Sequence, residues 1–232
     1  MVAFMIFSPF MMLGTWWEGR RSAKEEFEEE VNGYRANLAD LMARGNSALD
    51  EERRRRCIEH PGTADVVQAI QDRSPLLWTR RPEHERFGQL RLGLGTESSR
   101  VEIDVMPSRK APPDLVHELE SVTSEFATVD RVPVVGDLVS AGSIGVGGPD
   151  EATRSVARGL VIQLAGLHAP SELVLCAMAS LRSAPSWEWL KWLPHTSSDH
   201  SPIEGQHLAS SAPACTNLIA QLMDDVQSRR DE

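Results

Sequence analysis

A mixed α/β fold preceded by a long charged helix is what this sequence predicts, and three observations predict it. First, a glycine-rich turn, Gly142-Ser-Ile-Gly-Val-Gly-Gly148, leads into an amphipathic stretch of about five helical turns, and Leu173–Met178 then reads as a strand. Second, residues 87–95 and 101–105 alternate apolar with polar side chains, as strands with one buried face do. Third, residues 18 to about 59 are densely charged, with apolar residues at heptad spacing.

The turn and its flanks follow the layout of a P-loop ATPase module. Gly148-Pro-Asp-Glu-Ala-Thr-Arg-Ser155 lies over the G-x-x-x-x-G-K-[ST] pattern, with Thr153 in place of the last glycine and Arg154 in place of the lysine. In a working loop the glycines let backbone N–H groups face the phosphates, the lysine reaches the terminal phosphate and the hydroxyl ligates Mg²⁺. Thr153 narrows such a cradle, Arg154 keeps the charge on a bulkier fork, and Ser155 keeps the hydroxyl. The candidate phosphate-binding residues are therefore Gly145, Gly147, Gly148, Thr153, Arg154 and Ser155 of an eroded site. The strand Leu173–Met178 runs into Ala179-Ser180-Leu181 without the acid that would organise Mg²⁺, which argues against hydrolysis. A glycine-rich turn feeding any helix of an α/β sheet is the plainer reading of the same residues. The expected fold over residues 61–232 is a P-loop-type three-layer sheet domain with degenerate Walker motifs.

Composition narrows the partners. The 232 residues carry a formal net charge of −10, so no basic surplus exists to release counterions from a nucleic acid, and nucleic acid is not an expected partner. Cys57, Cys176 and Cys215 stand far apart and are odd in number, which suits a reducing compartment and provides neither a disulfide framework nor a zinc site.

In chain order, residues 1–17 are uncharged and rich in Met, Phe and Trp. With Trp16-Trp17 followed by Arg20-Arg21 they read as the end of a membrane span whose remaining chain is cytoplasmic. Residues 18–60 read as a helical stalk in which Phe27, Val31, Tyr34, Leu38 and Leu41 form one seam; a helical hairpin broken near Gly45-Asn46 is the alternative. The run Arg53–Arg56 reads as a solvated face. His60-Pro61-Gly62 marks a boundary, followed by a short helix at Ala64–Gln71. The strands 87–95 and 101–105 are expected to pair through Thr96–Ser99. Pro112-Pro113 opens a helix with Leu115, Leu119, Val122 and Phe126 on its stripe. Val132–Val135 and Leu138–Val139 read as short strands. The helix from about Glu151 to His168 turns Val156, Leu160, Leu164 and Leu167 inward and stops at Ala169-Pro170. In Trp187-Glu-Trp-Leu-Lys-Trp192, Trp187 and Trp189 diverge on a helix, and the cluster reads mostly as core. His200, Glu204 and His207 lack metal-ligand spacing. A final helix, Asn217–Arg229, carries Leu218, Leu222 and Val226. Nothing in the chain requires a cofactor.

Several segments resemble one family in order. Leu77-Trp-Thr-Arg-Arg-Pro82 through Gly95, Val132-Pro-Val134, Val161-Ile-Gln-Leu-Ala-Gly-Leu-His-Ala-Pro170 and Trp187 to His195 together resemble EccC, the FtsK/SpoIIIE-type membrane ATPase of actinobacterial type VII (ESX) secretion systems. The likeness is to the region between its second span and its first intact ATPase module. It implies a RecA/FtsK-type domain, a location at the cell inner membrane with residues 18–232 in the cytoplasm, and contacts with EccB, EccD, EccE and other EccC copies. It further implies a structural coupling module of an export motor. An ATP-binding regulator or weak ATPase is the competing function, using Arg154 and Ser155 to hold ATP with Mg²⁺ and an acid such as Glu188 or Asp137 to complete the site.

Overall fold

The computed structural model describes residues 7–101, 103, 112–196 and 201–231, with side chains from residue 26 onward. Two compact units emerge. One comprises the chain up to Arg55 together with Thr96–Arg131, and the other Arg56–Gly95 together with Val132–Glu232. Helices α1 (Phe7–Glu59), α2 (Thr63–Asp72), α3 (Pro113–Glu125), α4 (Leu138–Ala141), α5 (Asp150–Leu167) and α6 (Ala212–Asp231) alternate with strands β1 (Gln89–Ser98), β2 (Thr128–Asp137), β3 (Ala177–Met178) and β4 (Leu208–Ala209). Mixed helix and strand agree with the α/β class. The strands among the described residues form two two-stranded sheets, β1-β2 and β3-β4, in place of one three-layer sheet.

In the first unit α1 is one uninterrupted helix, so the hairpin break near Gly45-Asn46 does not occur. Gly45 is buried against Phe126, where a Cβ would stand 2.6 Å from the ring; its smallness serves packing. The predicted seam finds its partner within the chain. Leu38 packs with Val122 and Phe126, flanked by Tyr34, Leu41, Leu119 and Ile103, while Phe27 remains exposed. The stripe expected on α3 is the one that faces α1, and Tyr34 Oη donates to Leu115 O at 2.8 Å. Only the middle of the arginine run is a solvated face: Arg54 and Arg55 are exposed and pair with Glu51, at 2.8 and 2.9 Å, whereas Arg53 is half-buried and donates to Asp130 O at 2.9 Å and Arg56 is buried.

No helix among the described residues is long and apolar enough to cross a membrane. The membrane reading of residues 1–17 falls partly on residues 1–6, which lie outside the described residues.

Strand β1 pairs with β2, not with residues 101–105. Ser99 N donates to Ala127 O and Leu138 N to Gly88 O, so the two strands run antiparallel. Val101 and Ile103 lie outside any strand, and residues 102, 104 and 105 lie outside the described residues. Of the alternating leucines only Leu90 is buried. Leu138–Val139 is a helical turn instead of a strand, because Asp137 caps it by accepting from Ser140 N at 3.0 Å.

In the second unit α5 is locked by small and polar groups. Gln163, 3% exposed, clamps β1: its Oε1 accepts from Arg91 N at 2.8 Å and its Nε2 donates to Arg91 O at 3.0 Å. The same Nε2 reaches Thr63 Oγ1 of α2 at 3.3 Å. One helical turn on, Gly166 lets α2 approach. The inward set therefore includes Leu160 and Leu167 as expected, but Val156 is exposed.

The last carbonyls of α5 are capped by the Leu77–Pro82 segment. Trp78 N donates to Gly166 O and Arg80 N to Leu167 O, each at 2.9 Å, and Trp78 Nε1 donates to Ala165 O at 3.2 Å. Arg80 is 5% exposed and donates to Gln89 O and Glu59 O. Burial, with Arg86 nearby, pulls its guanidinium down to about 10, so it stays charged at neutral pH.

His168 follows α5 and is 1% exposed, with Nδ1 donating to Leu164 O and Nε2 accepting from Gly88 N, both at 3.0 Å. His195 donates through Nε2 to His168 O at 2.8 Å, and its own carbonyl accepts from Leu175 N. Burial holds both imidazoles below their ordinary pKa, Arg80 adding to the effect on His168. Such groups bind protons more readily when unfolded, so the chain loses stability as pH falls below the ordinary imidazole value of about 6.5. Thermal melts at pH 7.5 and 5.5, above the carboxylate range, are expected to show a lower midpoint at the acid end. The drop is expected to shrink in His168→Gln, which keeps an acceptor for Gly88; equal midpoints for the parent chain would refute the account.

Strands β3 and β4 pair in parallel, Ala177 opposite Leu208 and Met178 opposite Ala209. A parallel pair needs a crossover, here the residues between them, which include 3₁₀ helices at Ala184–Trp192 and Pro194–Thr196. On the first of these Trp187 and Trp189 stack, with ring centroids 6.4 Å apart, instead of diverging, and Trp192 is exposed. Ile203, Ala209 and Leu218 of α6 form the adjoining core. His207 bonds to Ser201 Oγ through Nε2, and His200 lies outside the described residues.

Candidate phosphate-loop site

Between α4 and α5 the chain is irregular through Gly147 and turns at Gly148, whose φ of +145° is a conformation glycine takes readily and other residues do not. Gly145 and Gly147 are not in the positive-φ region. Pro149 then caps α5, which starts at Asp150.

A cavity of about 460 Å³ opens beside this helix start. Gly147, Gly148, Thr153 and Arg154 line it, so four of the six predicted residues converge there; Gly145 and Ser155 do not. The rest of the lining includes Ser180, Arg182, Ser183 and Trp187, which no local motif marks as site residues. The polar Ser180-Leu-Arg-Ser183 turn follows β3 and carries a cation, Arg182, where a Mg²⁺-organising acid would stand.

Arg154 is held from two sides. Its Nη1 donates to Ser186 Oγ at 3.2 Å and its Nη2 stands 3.6 Å from Glu151. Arg158, one turn on, donates to Ser186 O at 3.1 Å, tying α5 to the 3₁₀ helix. Arg182 is exposed and makes no hydrogen bond or ion pair among the described residues. Thr153 Oγ1 is shielded from solvent and has no hydrogen-bond partner among the described residues.

This geometry does not match a Mg²⁺-nucleotide cradle. The Thr153-Arg154-Ser155 triplet sits inside α5, with Thr153 N donating to Pro149 O, so these residues follow the helix start instead of forming it. Asp150 and Glu151 occupy the first turn, where the N–H groups and dipole of a phosphate-binding helix would meet the anion. Ser155 is exposed. The acids considered for completing the site are engaged elsewhere. Asp137 caps α4, its carboxyl held below the usual range first by the Ser140 backbone N–H, and Glu188 is exposed beside Lys191 at 4.0 Å. No cluster of three or more His, Cys, Asp or Glu side chains suited to a metal occurs among the described residues.

No family model matches the chain. Curated proteins do. It is 28% identical over 80% of its length to the ESX secretion system protein EccC of Thermomonospora curvata, and covers 14% of that protein. It is 32% identical over 59% of its length to the ESX-4 secretion system protein EccC4 of Mycobacterium tuberculosis, covering 11% of it. The type VII secretion system protein EssC of Staphylococcus aureus is 18% identical over 94% of the chain, which covers 15% of EssC. The chain thus spans about a seventh or less of the length of the first two relatives.

Proposed function

Because this chain is a relative of the EccC and EssC proteins of type VII secretion, we propose that it serves as a membrane-proximal structural and coupling module of such a secretion machine and does not itself hydrolyse ATP. The observation that carries the second half is the placement of Ser155. α5 begins at Asp150, so the hydroxyl that would hold Mg²⁺ stands on the second helical turn, exposed and outside the cavity. Strand β3 runs on into Ala179-Ser180, without a carboxylate. An α5 fixed by Gln163, Gly166 and the Trp78–Arg80 cap suits transmission of force better than chemistry, which needs a loop free to close. Residues 1–17 would attach the chain to the inner membrane, with residues 18–232 in the cytoplasm, and EccB, EccD, EccE and further EccC copies would be its neighbours.

Phosphate release by the complete chain is expected to stay at background with Mg-ATP, and Arg154→Ala to leave it there. Turnover that Arg154→Ala abolishes would overturn the proposal. It would favour the second reading, an ATP-binding regulator or weak ATPase, for which the arginine-lined cavity is the supporting observation.

A further inference from the structure

We infer that the cavity at the start of α5 is a metal-independent anion pocket, built on the Arg154–Arg182 pair and walled by Trp187, for a nucleoside diphosphate or a similar aromatic diphosphate. This inference goes beyond the non-hydrolysing reading and stands or falls separately from it. The cavity, at about 460 Å³, lies within the range of small-molecule sites. Among the lining residues Arg154 and Arg182 supply two positive charges against the carboxylate of Asp150, while Glu151, outside the lining and 81% exposed, stands 3.6 Å from Arg154. Arg154 is pre-oriented by Ser186 and Glu151, which occupy only part of its five-donor fork. The Arg182 fork has no partner among the described residues. Planar guanidinium forks bind phosphate bidentately, which supplies without a metal the charge that lysine and Mg²⁺ supply in a P-loop.

The remaining wall fits the rest of such a ligand. The Ser180 and Ser183 hydroxyls hydrogen-bond to each other at 2.8 Å on the turn that carries Arg182, which leaves one hydroxyl proton to donate to a phosphate oxygen. Gly148 brings bare backbone to the cavity, and Thr153 Oγ1 is a shielded hydroxyl with no hydrogen-bond partner among the described residues. Trp187, braced by its stack with Trp189, offers an indole for a base to lie against.

Calorimetric titration of the complete chain with ADP and with inorganic pyrophosphate, each in EDTA and in excess Mg²⁺, tests this. Binding of both is expected in EDTA and is expected to weaken with added salt. Arg182→Ala, at an exposed position that leaves the fold intact, is expected to weaken both ligands at least tenfold, and Asp150→Asn to tighten them. Trp187→Ala is expected to weaken ADP more than pyrophosphate, and Ser155→Ala to change neither. Absence of binding at millimolar ligand would overturn the inference while leaving the non-hydrolysing reading intact. Binding that requires Mg²⁺ and is lost in Ser155→Ala would also overturn it, in favour of a Walker-type site.

Discussion

Replacing Arg80 with alanine is expected to destabilise the chain by about 2–4 kcal/mol, the cost of leaving buried partners of a charged group unpaired. The guanidinium is buried and donates to Gln89 O on β1 and Glu59 O at the end of α1, while the backbone N–H of the same residue caps Leu167 O of α5. Three segments of the second unit therefore meet at one side chain. Alanine keeps the backbone cap but strips two carbonyls of their donor and leaves a space the size of an arginine. Arg81, its exposed neighbour, is the internal control, because surface substitutions away from such networks usually stay within about 0.5 kcal/mol. Urea denaturation reads the difference as a lower midpoint at unchanged slope. Equal midpoints for Arg80→Ala and Arg81→Ala would show that the buried arginine is not the brace described.

Gly166→Ala is the second large effect, and its sign runs against helix propensity. Alanine is favoured over glycine in a helix interior by about 1 kcal/mol, so an open site would gain stability. Here an added Cβ would stand 2.3 Å from Val66 Cγ1, and Val66 is fully buried on α2. The helices must move apart, and overpacking of this kind costs about 1–3 kcal/mol. Residues in contact do not add independently, so the Val66→Ala, Gly166→Ala pair is expected to be less destabilised than the sum of its single substitutions. Strict additivity in the double-mutant cycle would mean that α2 and α5 do not meet at this point.

Both effects bear on the site, because α5 carries Thr153 and Arg154 at one end and the Gly166 and Arg80 contacts at the other. An altered α5 is expected to shift the arginine fork as well as the melting midpoint. Arg182→Ala, by contrast, touches only the cavity wall.

How much of this was legible in the chain itself depended on the kind of signal. The longer helices were legible because their apolar stripes repeat with the helical period: Leu119 and Val122 on α3 with Phe126 just after it, and Leu160 and Leu167 on α5, are among the residues packed inward. The proline at the head of α3 fixed its start. Strand partners were not legible. The alternation in 87–95 marked a strand, but β2 took the place of 101–105 as its partner, and Leu92 and Leu94 on the face expected to be buried are exposed. Both pairing and the burial of a face are decided by long-range contacts that leave no local trace.

The same limit governed the candidate site. The glycine-rich turn and Arg154 were found because the P-loop pattern is local and its substitutions can be weighed residue by residue. Arg182 and Trp187 were not, since only the crossover between β3 and β4 brings residues 180–187 against the start of α5. What the sequence determined by itself was the longer helices, the absence of an acid directly after Met178 and the resemblance to EccC, all of which rest on residue identity and short spacing. What only the tertiary structure decided was that Gly166 and Gln163 are core, that Arg80 is a buried brace, and that two arginines far apart in the chain line one cavity. The physical reason is that burial of small or polar residues is stabilising only where a particular partner stands opposite, and the identity of that partner is a property of the fold.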